Sequence, residues 1–316
     1  MIVDSYGYHG FGLAFVPAAA DDEITAGIPV VEVRRPVVGP KWVSLPFTDY
    51  CPPLARGVLP RDFADGLARM RQSAGIRGLE IRDRIVGRGV GYTSGGVRHT
   101  LELCPDTEAL FGTFKRSQVQ RNIARAQREG VTVRRSTSAG DVVDTFYALH
   151  VQTRRRLGVP VQPRRFFRAL GERIIEPGLG FVMIASHGRQ PLAAAVFLNW
   201  NRTVVYKYGA SDSNAWRLRP NHLLFWEAIR WSAENGYQTF DFGRSEAAQQ
   251  GLREFKSGWG TEEVPLTYSM IRDRTNVSAD TSRVAGWTSA AGGAVIRRSP
   301  AWVARLLGEV LYKYAA

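Results

Sequence analysis

The sequence predicts an α/β protein built twice on one plan. Three observations carry that prediction. A strand–turn–strand pattern near residues 12–33 returns near residues 181–198; each copy is followed by a helix and then a strand; and a basic segment separates the copies.

In the first copy Gly12–Val16 is an apolar strand, Asp21-Asp22-Glu23 a polar turn and Ile24–Val33 the returning strand. Asp62–Ser73 has helical patterning, and Gly78–Arg82 reads as a strand. Lys115–Arg135 then holds seven basic residues against one acidic residue, Glu129. A helix over Lys115–Glu129 would end at Gly130, and Arg121, Arg125 and Arg128 would share one face. Such a stripe suits phosphate contact, although a solvated helix face has the same pattern. Asp141–Arg156 and Phe166–Ile175 are two more helices, joined by a corner at Leu157–Pro163.

The second copy runs through Phe181–Ala185, a turn at His187–Gln190 and a strand at Pro191–Leu198. Pro220–Asn235 follows as a helix, with proline in its first turn and Gly236 just past its end. Leu224, Ala228 and Trp231 mark its buried face, and Gln238–Phe242 is the next strand. Beyond Ile271 the chain turns polar and small, so Arg272–Gly293 reads as a linker. Ser299-Pro300 opens a last helix, Ser as N-cap and Pro at the first position, with Val303, Leu306, Leu307, Val310, Leu311 and Tyr314 on its apolar side. This helix either docks on the body or, through residues 300–314 and helped by Arg297 and Arg298, lies on a membrane interface. The expected divisions are 1–114, 115–130, 131–271 and 272–316.

Composition removes several function classes. With 316 residues at 44% hydrophobic content, general disorder is excluded. Two cysteines make no disulfide framework, and five scattered histidines without C-x-x-C give no metal site. No run of 18 apolar residues occurs, and Met1–Ala20 lacks a basic leader, so a cytoplasmic protein is expected, peripheral at the inner membrane face if the last helix meets lipid. The net charge of +13 favours a polyanionic partner, either RNA, nucleotide phosphate or an anionic membrane. An arginine-rich composition without a dedicated partner would give the same excess.

The most unusual stretch is Asp241-Phe242-Gly243-Arg244-Ser245-Glu246 followed by Gly251–Gly260. A strand ends, turns at Gly243 and enters a short helix that places Lys256 beside Phe255 and Trp259. A lysine among aromatics is a strong local cation able to stabilise an oxyanion; an exposed lysine on an amphipathic helix is the competing reading.

Taken in order, KRSQVQRNIARAQREGVTV, RRRLGVPVQPRRFF, YKYGASD and DFGRSE with GLREFKSGWG resemble the GNAT (N-acyltransferase) fold in its tandem Fem version. VSLPFTDYCPPL at Val43–Leu54 is similar to the FemAB-like group, and the likeness extends over roughly residues 20–271. The resemblance implies two GNAT-like domains and acyl transfer to an amine where the halves meet. Lys256 of the Phe255-Lys256 pair would sit at the reaction centre, with Tyr206 and Tyr208 lining the acceptor site. Arg217–His222 replaces the glycine loop of CoA-binding members, which disfavours CoA and favours a tRNA ester. Gln162 stands where peptidoglycan members place a phosphate-binding arginine, with Arg164 and Arg165 near enough to substitute.

The expected site therefore comprises Lys256, Phe255 and Asp241 for catalysis, and Tyr206, Tyr208, Arg244, Arg164, Arg165 and Trp259 for substrate. Lys115, Arg121, Arg125 and Arg128 would hold tRNA phosphates. Asp241, Glu246 and His222 are the candidate bases. No cofactor is held tightly: aminoacyl-tRNA, or alternatively acyl-CoA, serves as co-substrate, and the acceptor is a small-molecule or lipid-linked amine of the cell envelope or a specialised metabolite. The rival readings are a CoA- or carrier-dependent acyltransferase of exopolysaccharide or lipid modification, and a non-catalytic RNA- or membrane-surface-binding protein.

Overall fold

A computed structural model describes residues 1–16, 23–35, 39–272 and 290–312. The Asp21-Asp22 turn, most of the expected linker, Tyr314 and the side chains of Val310 and Leu311 lie outside the described residues. The chain forms two compact units. Among the described residues, one comprises Met1, 97–264 and 290–312; the other comprises 2–96 and 265–272.

The chain begins with α1 (Ile2–Tyr6), β1 (His9–Phe15), β2 (Ala26–Arg35), β3 (Gly39–Val43), a short β4 (Leu54–Ala55), α2 (Phe63–Ser73) and β5 (Gly78–Ile81). β1 and β2 pair antiparallel with Leu13 opposite Ile28, and β2 pairs antiparallel with β3. β3 and β5 pair in parallel, which requires the crossover that α2 supplies. Val30, Trp42, Phe63, Leu79 and Ile81 make the core of this unit.

β6 (Val90–Glu102) carries the chain into the other unit. There follow α3 (Thr107–Thr113), a π-helical turn at Arg116–Gln120 that runs into α4 (Arg121–Arg128), β7 (Val131–Ser136), α5 (Tyr147–Leu157), α6 (Arg164–Leu170), β8 (Gly180–His187), β9 (Gln190–Trp200), β10 (Thr203–Ser211), α7 (Pro220–Glu234), β11 (Thr239–Ser245) and α8 (Gln250–Ser257). Here β8–β9 and β9–β10 are antiparallel and β10–β11 parallel, with α7 as the crossover. The two units repeat one order of strands, as the sequence patterning predicts. The second core is aromatic, with Phe181, Phe197, Phe225, Phe240, Phe242 and Trp259 all buried.

Each unit takes its final strand from the other half of the sequence. Leu101 of β6 lies opposite Phe240 of β11. β12 (Glu262–Arg272) returns to place Ile271 opposite Leu79 of β5. The sequence-based divisions assign β6 wholly to 1–114 and all of β12 except Arg272 to 131–271; the compact units cut both strands.

α9 (Ala290–Arg298) and α10 (Ala301–Leu311) dock on the 97–264 unit. A Cβ on Gly308 would stand 1.8 Å from the Val161 carbonyl oxygen, so the helix meets backbone there. Glu309 pairs with Arg165 at 3.0 Å, and the Arg305 guanidinium lies 5.6 Å from the Tyr147 ring centre. The expected cap is corrected: Pro300 is the residue preceding α10, while the Ser299 hydroxyl donates back to the Val295 carbonyl at 2.6 Å and closes α9.

Candidate active site

The site forms where two parallel strands part. β10 and β11 pair only from Thr203 to Val205 against Thr239 to Asp241. β10 then shifts register against β9 between Tyr206 and Tyr208, and β11 shifts against β6 between Asp241 and Arg244. Beyond the fork lies a cavity of about 350 Å³ whose lining residues all fall between Thr153 and Lys256. The cavity therefore belongs to the 97–264 unit by itself, whereas the family resemblance anticipated a site shared by both halves.

Lys256 lines this cavity and is 3% exposed, which excludes the surface-lysine reading. Its ammonium donates to the carbonyl oxygens of Gly243 at 2.8 Å and Arg244 at 2.9 Å. Those carbonyls are presented by a tight turn. Gly243 adopts φ of +71°, a conformation that other residues enter with strain, and the buried Asp241 carboxylate accepts the Gly243 N–H at 2.7 Å. Arg98 stands 3.8 Å from the same carboxylate. Asp241 thus braces the lysine's anchor and does not line the cavity.

Phe255 and Tyr206 line the wall with Lys256, and burial pushes the Tyr206 phenol up to about 12, leaving a protonated donor at neutral pH. Gly209 makes room for it: a Cβ at that position would lie 1.9 Å from the phenol oxygen. Gly209→Ala is expected to lower thermal stability by about 1–3 kcal/mol through overpacking, with partial recovery when Tyr206→Phe is added; melts of the two variants check this.

α7 presents its first turn to the cavity. His222 lies edge-on to Phe255 at 5.3 Å and parallel to Trp259 at 6.2 Å. Burial, reinforced by the Arg219 charge, lowers its pKa to about 4, so the imidazole is neutral. Its Nε2 lies 3.3 Å from the Asn122 amide nitrogen. Arg219 holds a left-handed conformation (φ +57°) where a glycine would fit without strain, and Pro220 occupies the first helical position, where no N–H is needed. Trp216, 44% exposed, donates its indole N–H to the Ser211 hydroxyl at 3.0 Å and carries the Arg156 guanidinium 4.3 Å above its ring. Thr153 ties α5 to the end of β10: its hydroxyl accepts the Ser211 N–H at 3.0 Å and donates to the Ser211 carbonyl at 3.2 Å. No carboxylate lines the cavity among the described residues, while Arg219 and Lys256 do, so its field favours electron-rich groups.

The other sequence-predicted residues lie elsewhere. Trp259 is fully buried beneath the wall, and Tyr208 packs among Phe166, Phe167 and His150. Arg244 contributes its carbonyl to Lys256 and its guanidinium to Glu246. Arg164 pairs with Asp144 at 2.8 Å, Arg165 with Glu309, and Gln162 is buried against His150 at 2.6 Å; none of the three lines the cavity. Lys115, Arg121 and Arg128 are exposed, and Arg125 faces Glu129 at 3.8 Å. Thr153, Ser211 and Trp216 were not anticipated. The one available signal was the junction between the strand ending at Ser211 and the helix starting at Pro220.

A family model described as an acetyltransferase (GNAT) domain matches residues 113–263. This segment is a GNAT domain. It contains every residue that lines the cavity. Lipid II:glycine glycyltransferases of Staphylococcus haemolyticus and Staphylococcus epidermidis are 32% identical to the chain over 76 residues, which is 22% of this chain and 18% of theirs. The chain thus spans under a fifth of the length of those curated relatives. Among solved structures, FemX matches with a TM-score of 0.64 at 15% identity, over 85% of this chain and 89% of FemX. L-PGS from Bacillus licheniformis matches at 0.56 and 15% identity, over 86% and 87%. At these identities the likeness is one of fold: the GNAT domain sits in a chain of Fem-type α/β architecture. Among the described residues no group of His, Cys, Asp or Glu is placed to hold a metal ion.

Proposed function

We propose that the chain is an N-acyltransferase that takes an aminoacyl group from aminoacyl-tRNA and passes it to an amine on a cell-envelope precursor. The observation that carries this reading is the Lys256 ammonium, fixed by two carbonyls in the wall of a cavity that also receives the first turn of α7. The likeness to lipid II:glycine glycyltransferases supports the envelope precursor as acceptor class.

In the reaction, the acceptor nitrogen attacks the acyl carbonyl carbon. As the C–N bond forms, the carbonyl oxygen becomes an oxyanion, and Lys256 supplies a preorganised cation for it. The Tyr206 phenol, protonated at neutral pH, is a second donor in the same wall. The new ammonium must shed a proton, and the neutral His222 imidazole is the acceptor that the cavity offers. The oxyanion then collapses, the bond to the leaving oxygen or sulfur breaks, and that atom departs with a proton. Holding donor and acceptor together in the cavity supplies much of the remaining rate.

The exposed cations of the π-helical turn and α4 suit the tRNA body, and the glycine-free Arg219-Pro220 junction departs from a CoA-binding loop. The retained left-handed turn at Arg219 supports a second reading, with acyl-CoA as donor. Incubation with charged tRNA and, separately, with acyl-CoA, followed by mass spectrometry of amine acceptors, separates the two. With a tRNA donor, reversing Arg121, Arg125 and Arg128 to Glu should abolish transfer. The slope of log affinity against log salt should also lose about 2–3. Transfer from acyl-CoA with unchanged kinetics in that variant would select the second reading. A lipid-linked acceptor would place the protein at a membrane surface.

A further inference from the structure

The C-terminal helices bury one face and leave a second apolar face in the open. Ile296 and Ala304 are 4% and 0% exposed, and Gly308 and Glu309 fasten α10 to Val161 and Arg165. A helix docked on a protein body needs one apolar stripe. Yet Val295, Trp302 and Leu306 are 59%, 66% and 57% exposed, with Trp302 and Leu306 one turn apart on α10. Nothing among the described residues covers them.

Charge decides the partner. Residues 290–312 carry Arg297, Arg298 and Arg305, all exposed, against a single acid, Glu309, which is paired with Arg165. A basic rim around a tryptophan and two aliphatic side chains matches the interface of an anionic bilayer: indole sits at headgroup depth, the aliphatic groups enter the acyl boundary and the guanidinium groups meet phosphate. A second copy would bring like charges face to face. Neither helix has the length to span a bilayer by itself. α10 has 11 residues and the break at Ser299-Pro300 parts it from α9, whereas a bilayer core needs about 20. No helix among the described residues is long and apolar enough to cross a membrane.

We infer that the outward face of α9 and α10, through Val295, Arg298, Trp302 and Leu306, seats the protein on an anionic lipid surface. This holds whichever donor or acceptor the cavity takes, because lipid binding needs no turnover.

Flotation of the full chain with vesicles tests it, using phosphatidylcholine alone and an equal mixture of phosphatidylcholine and phosphatidylglycerol. The expected result is binding to the mixed vesicles that weakens with salt. Arg298→Ser should weaken it about fivefold. Trp302→Ser with Leu306→Ser should weaken it about tenfold or more. These side chains are exposed, so thermal melts of the variants should match the parent protein. Three results would each overturn the inference: no binding to mixed vesicles, undiminished binding by the double variant, or a dimer in light scattering that the double variant dissociates.

Discussion

Replacing Lys256 with methionine should lower kcat/KM by about 10²–10³, the usual effect of removing one oxyanion donor, with either ester or thioester donor. Methionine keeps the apolar stem and removes the charge. It also leaves the Gly243 and Arg244 carbonyls without their donor, at a cost of about 1–3 kcal/mol for each buried acceptor left unpaired. Part of any loss could therefore be unfolding. Circular dichroism and melts set the folded fraction, and the kinetic loss is then counted per folded molecule. The fall should lie in kcat, because the charge acts on a group that exists only as the acyl carbon becomes tetrahedral. A folded Lys256→Met protein that transfers at the parent rate would remove Lys256 from the reaction centre, whereas no transfer by the parent protein from either donor would leave the non-catalytic binding reading.

The second large effect is acid sensitivity. His99 and His150 are 0% and 3% exposed. Burial, aided by the Lys256 charge, lowers His99 to about 4; burial, aided by the Arg154 charge, lowers His150 to about 3; and His222 in the cavity wall is lowered to about 4 by burial and the Arg219 charge. An unfolded histidine titrates near 6.5, so in the window below that value the unfolded chain binds more protons than the native one. Stability is then full above about pH 6.5 and declines as pH falls toward 4. Each histidine withdraws up to about 1.4 kcal/mol per pH unit inside the window. Because the unfolded imidazole is only half protonated at pH 6.5, each removes about 1.6 kcal/mol between pH 6.5 and 5, and the three together about 5 kcal/mol, a large share of a typical 5–15 kcal/mol. Urea titrations across this range should show a proton uptake on unfolding that rises toward three at pH 5. The range lies above ordinary carboxylate titration, so the histidines dominate it. A flat midpoint from pH 7 to 5 would show that none of the three histidines is held neutral.

Much of this architecture was legible because local chemistry and fold agree. Pro220 and Gly236 bracket α7, the paired strand patterns mark the repeated sheet, and Gly130 ends the basic helix with φ of +72°. Lys256 stood out because a cation flanked by aromatics conflicts with ordinary patterning. Relations set by long-range packing were not legible. Thr153, Ser211 and Trp216 reach the cavity from different elements, and no spacing connects them. Gln162 reads as a corner residue until His150 is found beside it. Arg164 and Arg165 look like anion ligands until Asp144 and Glu309 arrive from distant positions.

The exchange of closing strands bears on how the protein is made. β5 emerges from the ribosome about 190 residues before the β12 segment that pairs with it. At ordinary elongation rates the first sheet waits roughly 10–40 s with that edge open. A nascent chain in this condition is a natural client for chaperones. Splitting the gene between the halves should give two insoluble products when they are made apart and a soluble complex when they are translated together.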